Sequence, residues 1–294
     1  ILIQSNGFRI GEFDWEDSDN VLHSPGLREF VIGKGLWNPA EGPFHWARTF
    51  GRKFLENPST YYYNSRRLWS AIRLLSPSAR LNPDLEEYPV FIKPDEPVTK
   101  EKIMEVLRDY NRDNSFCAFS EHSIDSETRP IGVPHCIHSA VAEIHRGEPP
   151  ELSAVLWSCL GSPLTAPYLP HHYGITEIAP AFEEGDENYS SSSAFWQFRE
   201  LTNLVMNDFY KYSPIVADEW NKLENTALAL QPVAEREAAS LWKNNPERAK
   251  ELLTALAGSL DYEALKTVER LRGRLNREIA GNLYQYFAKG DLEW

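Results

Sequence analysis

The stretch His138–Leu160, HSAVAEIHRGEPPELSAVLWSCL, contains the two clearest strand candidates of the sequence. Residues 138–146 alternate, so that one face is apolar and the opposite face is mixed. Residues 152–160 are apolar on both faces, which predicts a central strand covered on both sides. The connection Gly147–Pro150 is too short for a parallel crossover. We therefore expect two adjacent antiparallel strands.

Upstream of this pair, the sequence opens with a third strand candidate at residues 1–4, followed by a polar break that ends at Gly7. Asn6 thus lies just beyond a predicted strand, a position from which side chains reach functional sites. Tyr88–Lys93 is a further short strand candidate. Arg66–Leu75 has apolar residues at three- and four-residue spacing and predicts a helix with Arg66 and Arg67 at its start.

Downstream, the sequence is helical in character from about residue 190, with Pro214 and Pro246 expected in first turns and Gly258 as a helix stop. The pattern predicts an α/β protein divided into residues 1–190 and a helical layer or appendage at 191–294. A Gly-rich strand-to-helix turn is missing, which argues against a nucleotide-binding doubly wound fold. The four predicted helices are Ala194–Tyr212, Pro214–Lys243, Pro246–Gly258 and Tyr262–Phe287.

Charge and composition narrow the class of partner. The 294 residues include 42% hydrophobic residues, enough for a packed core, and carry a formal net charge of −13. Such a field repels phosphate backbones and anionic lipid surfaces, so we expect no nucleic-acid or membrane partner. No run approaches the ~20 apolar residues of a membrane helix. We expect a soluble segment, whose compartment and oligomeric state, including a possible homo-oligomer, the sequence leaves open.

A series of short motifs in a fixed order resembles the cysteine dipeptidases of the choloylglycine-hydrolase-like superfamily, to which the secernins are related. The resemblance spans most of the chain. The motifs that carry it include Asn6–Glu12 (NGFRIGE), Asp17–Pro25 (DSDNVLHSP), Lys34–Pro39 (KGLWNP), Tyr63–Trp69 (YNSRRLW), Tyr88–Pro94 (YPVFIKP), Arg129–Ile131 (RPI), Trp157–Pro163 (WSCLGSP) and Gly174–Ile178 (GITEI).

The resemblance implies part of an αββα four-layer sandwich of the N-terminal-nucleophile (Ntn) hydrolases, with an additional C-terminal helical region. In that class a Cys at the mature N-terminus attacks the amide of a small peptide, its own α-amino group is the base, and no cofactor is needed. Ile1 has no attacking heteroatom, and Cys117, Cys136 and Cys159 are internal. We therefore expect the nucleophile on an upstream segment or chain, and no activity from this chain alone.

The resemblance assigns catalytic roles to Asn6 and Arg66. It makes Arg67 a competitor for the role of Arg66 and a candidate substrate-binding residue. Asn6 matches a family Asn that helps to bind the tetrahedral oxyanion, although an Asn before Gly also suits an ordinary turn. A cation at Arg66 or Arg67 would favour a thiolate or bind a substrate carboxylate. Either arginine could instead pair with a surface carboxylate. Neighbours on a helix point about 100° apart, so only one should face the cleft.

Two other chemistries are weighed and disfavoured. His135–His138 and the pair His171 and His172 contain zinc-ligand types, but a second ordered ligand pair at the usual spacing is missing, so we expect no metal. Ser139 and Ser193 lack the Gly-x-Ser-x-Gly context of a serine nucleophile. The serines at 190–193 are expected to cap the helix that starts near Ala194.

Two functions remain after these exclusions. The first is a cysteine-type dipeptidase to which this chain contributes part of the sandwich and of the cleft wall. The second is a non-catalytic, secernin-like binding or scaffold protein on the same fold. A Cys immediately after a processable leader in the full-length sequence would favour the enzyme.

Overall fold

The described residues fall into two units, each with its own core. The computed structural model describes residues 1–51, 58–85, 87–117, 119 and 129–288. The first unit comprises Ile1–Thr99 and Asp109–Ile131, and the second comprises Lys100–Arg108 and Gly132–Trp294. The division at residue 190 expected from the sequence stays a prediction.

The first unit is built around α3 (Pro58–Leu75), which is preceded by the short helices α1 (Leu27–Gly33) and α2 (Trp46–Phe50). The helix predicted at Arg66–Leu75 is confirmed at its C-terminal end, but it begins eight residues earlier than the apolar spacing indicated. Arg66 and Arg67 therefore lie in its middle rather than at its start. Leu68 and Ile72 on α3 pack with Tyr88 in the core of this unit.

The opening run of the chain forms an isolated bridge rather than a strand of a larger sheet. Leu2 pairs antiparallel with Phe91, and the backbone N–H of Ile92 donates to Ile1 O at 2.9 Å. The strands predicted at 1–4 and at Tyr88–Lys93 are thus reduced to this one contact. The expectation that residues 1–4 join stacked sheets is not met in the described residues.

The second unit contains a three-stranded antiparallel sheet. Its strands, in spatial order, are β1 (His138–Ile144), β2 (Ala154–Leu160) and β3 (Leu169–His172). Its register pairs Val141 with Trp157 and Trp157 with Pro170, so the predicted antiparallel neighbours are confirmed. The third strand is too short for a clear alternation. The elements are α4 (Lys100–Leu107), β1 (His138–Ile144), α5 (Pro150–Ser153), β2 (Ala154–Leu160), β3 (Leu169–His172), α6 (Pro180–Glu183), α7 (Ala194–Val205), α8 (Phe209–Trp242) and α9 (Pro246–Ala288).

The two faces of the sheet are covered unequally. The mixed face of β1 is the packed one, because Glu143 accepts hydrogen bonds from Lys100 on α4 at 3.0 Å and Gln231 on α8 at 3.0 Å. On the opposite, apolar face, Ile144 is 75% exposed and Leu156 is 43% exposed. The prediction that the strand at 152–160 is covered on both faces is therefore wrong for this chain, although β2 is the central strand.

The helical region has fewer breaks than predicted. The break expected before Pro214 lies instead at 206–208, because the Asp208 side chain accepts from Lys211 N at 3.1 Å and caps α8. Pro214 is inside that helix. α9 continues through Gly258 without a stop, because its buried stripe packs along α8 and α7. This burial outweighs the ~1 kcal/mol cost of one helical Gly. The stripe is formed by Leu253, Ala257, Leu260, Ala264, Val268, Leu271 and Leu275.

Helices and an antiparallel sheet together agree with the predicted α/β class. Residues 1–51, 58–85, 87–117, 119 and 129–288 contain no second multi-stranded sheet. The four-layer αββα sandwich stays a prediction.

Replacing Gly258 by Ala tests the continuity of α9. Apart from its chain neighbours and the surrounding helix backbone, no described atom lies within 4 Å of the position of the added Cβ. Ala should therefore stabilise the chain by about 0.5–1 kcal/mol through its better helix propensity. Gly161→Ala is the control, because Gly161 has φ +85° and Ala there is strained. The two variants should shift the urea-unfolding midpoint in opposite directions. A loss of stability in both would mean that α9 ends at Gly258.

Candidate functional site

The guanidinium of Arg67 is the centre of a polar cluster in the first unit. Its Nε donates to the carbonyl oxygen of Tyr63 at 3.2 Å, one turn earlier on α3. Nη1 donates to Asn6 Oδ1 at 3.3 Å, and Nη2 donates to Asn64 Oδ1 at 2.5 Å. Arg67 therefore joins two side-chain amides that come from distant parts of the sequence. Three of its five N–H groups are used in doing so.

Asn6 presents its NH₂ group as a free donor within this cluster. Its Oδ1 is taken by Arg67, and within the described part of the chain the structure gives Nδ2 no partner. The neighbouring Ser5 hydroxyl donates to Asn64 O on α3 at 2.9 Å, which fixes the segment just before Asn6. The amide of Asn6 is thereby oriented with its hydrogens available to an oxygen.

Arg66 points to a different environment. Its Nε and Nη2 donate to Asp84 Oδ1 at 3.2 Å and 2.9 Å, and its Cζ lies 4.7 Å from the ring centre of Tyr62 and 4.5 Å from that of Phe116. The structure thus brings Asn6 together with Arg67 and gives Arg66 a carboxylate partner. The catalytic role predicted for Arg66 stays a prediction.

A second cation, Arg129, lies beside the same cluster. Its Cζ is 5.2 Å from the ring centre of Tyr63, and the Cζ of Arg67 is 5.7 Å from that ring centre. Burial, and next the positive charge of Arg129, lower the pKa of the Arg67 guanidinium from its usual value. The guanidinium groups of Arg67 and Arg129 thus both lie near the Tyr63 ring in a half-buried site.

The three cysteines are held in structural contacts. Cys117 Sγ donates to Phe119 O and Cys136 Sγ to His138 O, both at 3.3 Å. Cys159 is fully buried, and burial raises the pKa of its thiol. A buried, protonated thiol is a poor nucleophile. None of the three has a free α-amino group to be its base.

The histidines and serines weighed from the sequence all lie in the second unit. His171 Nε2 contacts Asp261 Oδ1 at 3.1 Å, and His172 Nε2 contacts Glu235 Oε1 at 3.0 Å. Ser139 bonds the Tyr168 hydroxyl. Ser193 stands at the N-cap of α7, but its hydroxyl donates to Glu184 O instead of capping the helix.

Two further observations concern metal binding and membrane spans. Among the described residues, no three His, Cys, Asp or Glu side chains gather as a metal-binding group. Within the same part of the chain, every helix is too short or too polar to cross a membrane.

The sequence did not single out Tyr63, Asn64 or Arg129 as site residues, although all three lie in quoted motifs. Only their distances in space reveal the cluster.

Comparison with known proteins gives a consistent family match. The model of Peptidase family C69 matches residues 1–222. "Probable dipeptidase B" of Streptococcus pyogenes serotype M1 is 25% identical over 279 residues, which cover 91% of this chain and 54% of that protein. "Probable dipeptidase" of Latilactobacillus sakei is 24% identical over 209 residues, 70% of this chain and 43% of that protein. "Dipeptidase A" of Lactobacillus helveticus is 21% identical over 217 residues, 73% of this chain and 45% of that protein. The chain spans about half the length of the curated relatives it matches.

Thiol labelling tests the assignment of Cys159 as an inert core residue. Under native conditions at pH 8, a thiol reagent such as DTNB should modify Cys117 and Cys136, which are partly exposed, and leave Cys159 unmodified until the chain is denatured. Cys159→Ser should therefore leave the native labelling stoichiometry at two. Rapid native labelling of Cys159 would contradict its burial.

Proposed function

The chain belongs to peptidase family C69, and we propose that it forms part of a cysteine-type dipeptidase of the N-terminal-nucleophile class. The attacking cysteine of this proposal is not Cys117, Cys136 or Cys159 but the first residue of another segment or chain. The substrate is a small peptide, and no cofactor takes part. The relatives named dipeptidase support the substrate class.

One observation carries the proposal. Asn6 and Arg67, 61 positions apart in the sequence, meet through a hydrogen bond of 3.3 Å. They belong to two motifs that the family resemblance connects with amide hydrolysis. Their contact leaves an amide NH₂ group facing outward beside a positive charge, which is the arrangement that a developing oxyanion requires.

The proposed chemistry gives each of these groups a defined task. The thiol sulfur attacks the amide carbon, its proton passes to the α-amino group of the same cysteine, and the carbonyl oxygen becomes an oxyanion. The NH₂ of Asn6 donates to that oxygen. Arg67 holds Oδ1 of Asn6 and thereby fixes the direction of the NH₂ group. The leaving amine then takes the proton, and water hydrolyses the thioester.

Arg67 is better placed than Arg66 for this role. The guanidinium of Arg66 forms an ion pair with Asp84, with Nη2 at 2.9 Å from Oδ1. Its positive charge is therefore largely neutralised within the chain. Among the described residues, Arg67 bonds only oxygen atoms of a peptide group and of two amides. Its positive charge is therefore available to a substrate or to a thiolate.

The open face of the sheet supports the proposed sandwich. An antiparallel sheet that faces water on one side is usually polar on that side. Here the open face instead bears exposed apolar residues such as Ile144 and Leu156. We infer that a second sheet packs on it in the complete protein, as the αββα architecture requires.

A scaffold without catalysis is the alternative function. The exposed state of Asn6 in this chain fits a surface turn as well as a site that another segment completes. The full-length protein decides between them, because a secernin-like scaffold would bind peptides or partners without turnover.

The isolated 294-residue chain should not hydrolyse dipeptides, because none of its cysteines can be both nucleophile and base. Amino-acid release from a dipeptide, followed by chromatography, measures this. The complete protein, assayed in parallel, is the positive control. Hydrolysis by the purified isolated chain that persists in Cys117→Ser, Cys136→Ser and Cys159→Ser variants would refute the N-terminal-nucleophile mechanism for it.

Replacing Asn6 by Ala in the complete protein should lower kcat by about 100-fold or more and leave KM nearly unchanged. The reason is that an oxyanion donor strengthens its bond only as charge develops. Asn6→Asp should be worse, since it places a carboxylate where negative charge must accumulate.

Asn64→Ala is the matched control, because Asn64 offers the second amide oxygen to the same Arg67 guanidinium. We expect its loss in kcat to be below about tenfold. Equal losses in the two variants, or a lower melting temperature with normal turnover in Asn6→Ala, would assign Asn6 to the turn alone.

A further inference from the structure

Among the described residues, the positive charges of Arg67 and Arg129 have no carboxylate partner. Four other arginines of the same unit do have one. Arg28 bonds Glu16, Arg48 bonds Glu87, Arg66 bonds Asp84, and Arg73 bonds Asp109 and Asp113.

The guanidinium groups of Arg67 and Arg129 both lie near the ring of Tyr63. In the described part of the chain, Arg67 keeps one N–H on each Nη after its bonds to Tyr63 O, Asn6 and Asn64. Arg129 has a buried Nε for which the described residues offer no hydrogen-bond partner. Both Cζ atoms lie within 6 Å of the Tyr63 ring centre, at 5.7 Å and 5.2 Å. A buried donor without a partner is costly, so an acceptor from outside would stabilise the site.

We propose that Arg129 and Arg67 together bind the free C-terminal carboxylate of the peptide substrate, with Arg129 as the specificity-determining residue. This inference rests on the proposed function, because it places the carboxylate beside the bond that is cleaved. In a dipeptide the carboxylate carbon is only three bonds from the scissile carbonyl carbon. One cluster that contains the oxyanion donor Asn6 and two cations can therefore hold both groups.

The two positive charges of the site also favour a bound carboxylate. Two like charges near one another repel, so Arg129 adds to burial, the larger cause, in lowering the pKa of Arg67. A carboxylate satisfies donors from both guanidinium groups and removes the repulsion. A C-terminal amide is isosteric with it but carries no charge and brings its own donors, so it leaves the repulsion in place. The site should accept peptides that end one residue after their first, which are dipeptides, and reject blocked or longer ones.

The test compares one dipeptide with its C-terminal amide in the complete protein. The wild type should show a kcat/KM for the free acid about 30-fold or more above that for the amide, since a hydrogen bond to a charged group is lost. Arg129→Gln should collapse this ratio, mainly through a higher KM for the acid, because the carboxylate contact is the same in ground and transition states. Arg129→Lys should keep part of the ratio.

Arg28→Gln is the control variant, because Arg28 is an arginine of the same unit that bonds Glu16 on the surface. It should leave the acid-to-amide ratio unchanged. Hydrolysis of both substrates at equal kcat/KM by the wild type would overturn the carboxylate site while leaving the dipeptidase proposal standing. Hydrolysis of neither would overturn the dipeptidase proposal itself. If Arg129→Gln fails to fold, the wild-type ratio and Arg129→Lys still decide the question.

Discussion

The hydrogen bonds of the Arg67 guanidinium set the geometry on which the proposed site depends. Asn6 follows a segment that is held by one isolated bridge, Leu2 to Phe91, so no sheet fixes its position. Its anchoring comes instead from α3, through Arg67 and through the Ser5 bond to Asn64 O. A long helix that supplies a planar, multiply bonded guanidinium is a more rigid support than a loop.

Polar contacts between distant residues also determine how the second unit packs. Glu143 points from the sheet into the helical layer because Lys100 and Gln231 hold it there. Although burial alone would raise the pKa of Glu143, these hydrogen bonds keep it below its usual value. Arg108 and Glu224 form another internal ion pair beside Tyr168. The consequence is that the apolar face of the sheet is left open, in the orientation that a second sheet would cover.

The sequence could predict local features of the fold, but it could not predict these contacts between distant residues. Alternation and the short connection identified β1, β2 and their antiparallel order correctly. They did not identify which face is packed, because that depends on residues 40 to 90 positions away, such as Lys100 and Gln231. In α9 the buried stripe overrode Gly258. Through the family resemblance, the sequence also proposed Asn6 and two adjacent arginines as candidate site residues. The structure shows that Arg67 contacts Asn6 and that Arg66 contacts Asp84, because the two side chains leave α3 in different directions. Arg129 is far from Asn6 and Arg67 in the sequence, and only the structure shows that it lies near the same tyrosine ring as Arg67.

A structure of the complete protein with a bound peptide aldehyde tests the central claim most directly. The aldehyde adds the cysteine thiol to form a hemithioacetal, whose oxygen occupies the place of the oxyanion. The account predicts that this oxygen lies about 2.7–3.1 Å from Asn6 Nδ2, with Arg67 still bonded to Asn6 Oδ1. An oxygen far from Asn6, or an Asn6 side chain turned away with Arg67 bound elsewhere, would contradict it.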